Sequence, residues 1–146
     1  MPKIFGTSLL GILAATVVFY MLGFVWYGIV FTEAWMTSTG MTEAAATAHA
    51  EKMGAMMYVG GIFITLIQVL GLTYILNQSG ASVLTTCAKI CALVAVLIAI
   101  PLMSYGVLYE ARSPSALHID TGHSLIGYAL VGVVLSFFRG TVAVGE

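Results

Sequence analysis

Charged side chains interrupt the chain at Lys3, Glu33, Lys52, Lys89, Glu110, Asp120 and Arg139, and four long apolar intervals lie between them. Apolar blocks of about 18 residues or more mark segments that cross hydrocarbon, and at about 1.5 Å of rise per residue each interval can cross a core of about 30 Å. The pattern predicts an all-α membrane protein: a four-transmembrane-helix bundle with helices over approximately residues 5–31, 53–77, 83–109 and 120–139 and both termini on the same side. Lys89 falls near the start of the third helix, where a long side chain reaches the headgroups. Pro101 lies inside that helix and predicts a bend near Leu97 to Pro101.

The connections read differently from one another. Thr42 followed by Glu43 and an alanine-rich stretch has the form of an N-cap with a first-turn carboxylate, which predicts a short interfacial helix running directly into the second span. Asn77-Gln78-Ser79-Gly80 has turn composition, and Ser113-Pro114-Ser115 breaks the chain before the fourth helix. A cation precedes the first apolar block, but the block is too long for a signal-peptide core and lacks a small-residue cleavage site, so it reads as a retained helix.

Composition agrees with lipid as the solvent. The 146 residues are 60% hydrophobic and 8% charged, against about 25% charge in ordinary soluble domains. A net charge of −1 with no basic run excludes electrostatic attraction to nucleic acid. Cys87 and Cys91, four apart on one helix, are too far apart for a disulfide and read as free packing thiols.

Two stripes recur at helical spacing: Gly54, Tyr58, Gly61, Thr65 and Gln68 on the second helix, and Ala88, Ala92, Ala95, Ala99, Met103, Gly106 and Glu110 on the third. Small-residue stripes let helices approach closely in lipid, so both read as packing faces. Gln68, an amide near mid-membrane, needs a partner and is expected to hydrogen-bond a neighbouring helix, with a polar path as the alternative.

The densest polar cluster comprises Glu110, Arg112, His118, Asp120 and His123. Glu110, Arg112 and Asp120 read first as an ion-pair clasp between the third and fourth helices with His123 bonded to it. A ligand or proton site is the alternative, and a weaker one is a metal site of His118, Asp120 and His123. Trp26, Tyr27 and Trp35 read as an interfacial aromatic belt. Lys3, Lys89 and Arg139 on one side against Lys52 and Arg112 on the other place the termini in the cytoplasm.

Together, Gly23-Phe24-Val25-Trp26-Tyr27-Gly28 with Phe31 and Trp35, Gly40-Met41-Thr42-Glu43, Tyr109-Glu110-Ala111-Arg112 and Asp120-Thr121-Gly122-His123 resemble a family of small bacterial membrane proteins, domain of unknown function 1761. Glu33 departs from the pattern, in which a cation more often precedes the Trp. The resemblance implies a four-helix protein of the bacterial inner membrane and brings no activity, catalytic residue or cofactor. The sequence therefore favours a non-enzymatic bundle, homo-oligomeric or an accessory subunit of a larger membrane complex, with the bilayer as its main partner and no cofactor. A small transporter or channel using Gln68, Glu110, Asp120 and His123 is the first alternative. A membrane metal protein or enzyme using His118, Asp120 and His123 is the second.

Overall fold

A computed structural model describes residues 2–139, and four helices in it are long and apolar enough to cross a membrane: Leu9–Val30, Ala55–Gln78, Leu84–Tyr109 and Pro114–Ser136. The C-terminus, predicted to share a side with the N-terminus, lies outside the described residues. Three spans fall close to the predicted bounds. The fourth does not begin at residue 120: Pro114 opens it, with the Ser113 hydroxyl accepting from the Ser115 N–H. Proline lacks the N–H that a first helical turn leaves unpaired anyway, so the residue expected to break the chain starts a helix instead.

The first helix also begins later than predicted. Residues 3–8 form a hairpin of β1 (Lys3–Ile4) and β2 (Thr7–Ser8), with Lys3 opposite Ser8 and Ile4 opposite Thr7. Its two-residue loop holds Phe5 and Gly6 at φ of 48° and 73°, the left-handed pair that a tight hairpin requires. Ser8 then caps α1 (Leu9–Val25) by accepting from the Gly11 N–H at 3.2 Å.

α1 runs into a π-helical turn, Trp26–Val30, and then into a short helix α2 (Thr32–Thr39), ended by Gly40 at φ 69°. Thr42 caps α3 (Glu43–Met53) through the Ala45 N–H, as expected. α3 does not continue into α4 (Ala55–Gln78), because Gly54 separates them at φ 51°, ψ −134°, a conformation open essentially to glycine alone. The predicted turn closes with the Gly80 N–H donating to the Asn77 carbonyl. The third span comprises α5 (Leu84–Val94), a π-helical turn at Ala95–Ala99 and α6 (Ile100–Tyr109). Where a bend is expected at Pro101, the ladder widens: the Ile100 N–H bonds Ala95, five residues back, just ahead of the missing donor.

The fourth span, α7 (Pro114–Ser136), packs against α1, α2, α4, α5 and α6. The closest-packed half of the bundle lies around the end of α7, where Ile12, Leu76, Cys87, Cys91, Val131 and Leu135 are at most 1% exposed. Both cysteines are free, as predicted. They are buried in α5, each one position before Ala88 and Ala92 of the predicted stripe, and Ala95 of that stripe is buried with them. A Cβ on Gly132 would stand 2.5 Å from the Cys87 carbonyl oxygen, so the two backbones touch directly there.

Arg139 locks this end. It is 8% exposed, and its guanidinium donates to the carbonyls of Leu76 (3.0 Å) and Ala81 (2.9 Å) and to the Thr7 hydroxyl (3.2 Å). Leu76 lies in the last turn of α4, where the helix dipole favours a cation. One side chain thus holds the hairpin, α4 and the end of α7 together, and Lys3 and Arg139 lie at the same end of the bundle. Arg139→Ala would remove the donor to the buried Ala81 carbonyl and Thr7 hydroxyl, the Leu76 carbonyl still accepting from the Ser79 hydroxyl, and is expected to destabilise the fold by about 2 kcal/mol or more. Lysine, a point charge without the planar fork, should restore only part. Thermal unfolding in detergent measures both; an unchanged midpoint for Arg139→Ala would contradict the assignment.

Candidate functional site

At the opposite end, the π-helical turn after α1 changes which side chains reach α7. A wider turn brings adjacent residues closer in angle, and such turns concentrate at functional sites. Trp26 and Tyr27 both point at α7. The Trp26 Nε1–H donates to the Ile119 carbonyl at 3.1 Å, and the Tyr27 hydroxyl donates to Asp120 Oδ1 at 2.9 Å. These rings do not fringe the bundle as a belt; they are the seam between its first and last helices. Gly122 makes the approach possible, since a Cβ there would stand 2.9 Å from the Trp26 ring.

Asp120 is the centre of the site. Its second oxygen pairs with Arg112 Nη2 at 3.4 Å. The loop before α7 is shaped for this contact: Ala111 holds φ 54°, a left-handed conformation costing a non-glycine residue about 1–2 kcal/mol. The Arg112 N–H then returns to the Gly106 carbonyl at 3.0 Å, and its aliphatic chain lies over Gly106, where a Cβ would meet Cδ at 2.5 Å. The expected clasp is therefore Arg112 with Asp120 and Tyr27. Glu110 is exposed and forms no ion pair among the described residues.

His123 lies one turn deeper on α7, in an aromatic cage. Its ring stacks on Phe19 at 5.4 Å and 20°, and meets Tyr27 at 5.1 Å and Trp26 at 6.2 Å. It does not bond to the clasp. Its Nε2 is buried without a hydrogen-bond partner among the described residues, facing Gly23, where a Cβ would stand 3.4 Å away. A buried, unpaired polar atom costs about 1–3 kcal/mol and is rare enough to need a reason.

Beside this cage lies a cavity of about 750 Å³ between α1, α4, α6 and α7, roofed by Trp35 of α2. Its size is that of small-molecule sites, which run to about 300–1,000 Å³. Arg112, Asp120, His123 and Gln68 are among its polar residues, with Thr65, Ser124, Tyr20 and Tyr58. The stripe Tyr58, Gly61, Thr65, Gln68 lines it, and at Gly61 the same face also packs on α1, where a Cβ would stand 3.0 Å from the Tyr20 ring. Gln68 has no hydrogen-bond partner on a neighbouring helix among the described residues; it faces the cavity, about 20 Å along α4. His118 is exposed, and no three His, Cys, Asp or Glu side chains gather among the described residues, so His118, Asp120 and His123 do not form a ligand set.

The paired segments are the same ones that carry the family resemblance: Gly23 to Trp35 at the end of α1 and in α2, and Tyr109 to His123 in the turn into α7. A family model described as Protein of unknown function (DUF1761) matches residues 10–136. The chain belongs to that family. No curated protein and no solved structure matches it. For this DUF1761 member the Tyr27–Asp120 contact joins positions 93 apart. No periodicity within one helix could reveal it; the one available signal is that both motifs lie at the same end of their spans.

If Arg112, Asp120 and Tyr27 form one unit, Arg112→Ala and Asp120→Ala should each lower the detergent melting temperature, and together by less than their sum, with a coupling of about 0.5–3 kcal/mol. Tyr27→Phe should cost about 1 kcal/mol. Strict additivity of Arg112→Ala and Asp120→Ala would exclude the unit.

Proposed function

We propose that the protein binds a small lipid-soluble molecule in this cavity. The observation that carries the reading is the cavity's shape and lining. Phe24, Tyr58 and Ile64 line it and are also 58–61% exposed on the outer surface of α1 and α4, so it opens toward the lipid. An oligomeric or accessory bundle, the role the sequence alone favours, has no need of such a space, and bundles in lipid otherwise close up by packing.

A continuous polar path is less well supported than binding. Gln68, Asp120 and His123 line the cavity but Glu110 does not. Beyond Gln68 the bundle is closed by Val69, Leu72, Leu76, Val131 and Leu135, all at most 3% exposed. A blind cavity suits a molecule that enters and leaves from the membrane. We place the protein as a multi-pass protein of the bacterial inner membrane with Lys3 and Arg139 at the cytoplasmic face, so the cavity belongs to the outer half of the bilayer.

Adjacent glycines of α4 provide the test. A Cβ on Gly61 meets the Tyr20 ring at 3.0 Å inside the cavity, whereas one on Gly60 meets nothing within 4 Å. Gly61→Leu should therefore lose a co-purifying small molecule detected by native mass spectrometry, while Gly60→Leu keeps it and both remain folded. A species retained equally by both variants would place it outside the cavity. Orientation is tested separately: single cysteines at residues 3 and 43 should label from opposite sides, with residue 3 inside, and labelling of residue 3 from outside would invert the assignment.

A further inference from the structure

We infer that the cavity takes a hydrophobic organic cation, its positive charge spread over aromatic rings, with Asp120 as the counter-ion. This rests on the cavity being a binding site and names its ligand class. Charge is the first argument. Arg112 and Asp120 are the lining residues that carry formal charge at neutral pH, and they are not equally fixed. The Asp120 side chain is 14% exposed and anchored by the Tyr27 hydroxyl at 2.9 Å, whereas that of Arg112 is 44% exposed and reaches it through a single contact at 3.4 Å. A competing cation can displace so open and long a contact, and the guanidinium can turn outward while its stem stays over Gly106. The fixed charge of the cavity is therefore negative.

The lining is the second. Phe19, Tyr20, Phe24, Tyr27, Trp35 and Tyr58 contribute rings to it, and Tyr27, the partner of Asp120, meets Trp35 edge-on at 5.8 Å and 71°. Ring faces carry negative potential and attract cations, most strongly where water is excluded. They offer no such attraction to an anion. Carboxylate and rings thus select the same sign of charge at the same end of the cavity.

The route of entry is the third. Phe24 and Tyr58 flank the opening toward the lipid, so the ligand arrives from hydrocarbon. A compact ammonium or a metal ion holds its water too tightly for that path, and no three His, Cys, Asp or Glu side chains gather among the described residues to replace the water. An ion whose charge is spread over rings has a much smaller desolvation cost and partitions into the bilayer. Met57, Ile64 and Met103 supply apolar wall for its body.

Tetraphenylphosphonium and tetraphenylborate, alike in shape and opposite in charge, provide the test. Equilibrium dialysis of the purified full-length protein in detergent, corrected for uptake by empty micelles, should show saturable binding of the phosphonium and none of the borate. The dissociation constant should rise about tenfold or more in Gly61→Leu, which fills the cavity, and in Asp120→Asn, which removes the charge and keeps the shape. Gly60→Leu should bind as wild type does. Arg112→Gln, which removes the competing internal cation, should tighten binding about threefold. Saturable binding of both ions alike, or equal phosphonium affinity in wild type and Asp120→Asn, would overturn the cation assignment. Should Asp120→Asn not fold, equal or weaker phosphonium binding in Arg112→Gln overturns it independently. Native mass spectrometry of the same preparations separates the two failures. No phosphonium binding, together with another species lost from Gly61→Leu and kept by Gly60→Leu, overturns the cation alone and supports the cavity. No phosphonium binding and no species bound to wild type overturns both.

Discussion

The seam between the first and last helices governs the rest of the molecule. Hydrocarbon gives helices no hydrophobic reason to associate with one another rather than with lipid, so contact depends on close approach and on satisfied polar groups. α1 and α7 meet by interlocking glycines with rings. Gly127 leaves space for Phe19, Gly122 for Trp26 and Gly23 for His123. At the end of this ladder the Tyr27–Asp120 and Trp26–Ile119 hydrogen bonds set the register. A larger residue at Gly127 or Gly122 would meet the Phe19 or Trp26 ring closer than 3.0 Å, push the helices apart and pull Asp120 out of reach of Tyr27.

Legibility in the sequence follows the range of the interaction. The four spans come from local hydropathy, and the Thr42 cap and the turn at Asn77–Gly80 come from local hydrogen-bonding chemistry. Pro114 misleads because the same missing N–H that ends one helix is harmless in the first turn of the next. The widened turn at Trp26–Val30 has no proline to announce it. The stripe from Tyr58 to Gln68 is one face, as its spacing says, but small and polar residues suit a packed interface and a cavity wall equally. Here it is both, with Gly61 packed on Tyr20 of α1 and the same face lining the cavity, and only the position of α1 decides that. The paired site is legible as two motifs and illegible as one constellation, because Tyr27 and Asp120 meet only after α7 is docked.

α7 is the least apolar span, with a mean hydropathy of 1.3 against at least 2.1 for the other three. Its polarity is not spread evenly. Asp120, His123 and Ser124 lie in its first half and face the cavity, whereas the second half ends in Val131, Gly132 and Leu135, with Gly132 against α5. A helix of this composition is tolerable in a bilayer because it contacts five other helices and places Asp120, His123 and Ser124 among them. Its central place and its chemistry are therefore one fact: the helix that carries the polar site is also the one most shielded from lipid.

The bundle is correspondingly divided along its length. Around Arg139 it is closed, with the guanidinium bonded to three acceptors and a core of fully buried aliphatic and thiol side chains. Around Asp120 it holds a left-handed alanine, an unpaired imidazole nitrogen and an open cavity. Each of these is unfavourable by itself, and features of this kind persist only where surrounding structure over-determines them. The locked end supplies that over-determination. With α1, α4 and α7 fixed there by Arg139 and the hairpin, their other ends can diverge enough to leave a space without separating. The Trp26 and Tyr27 contacts limit the divergence on the α1–α7 side, so the gap opens between α1 and α4, where Phe24 and Tyr58 face the lipid.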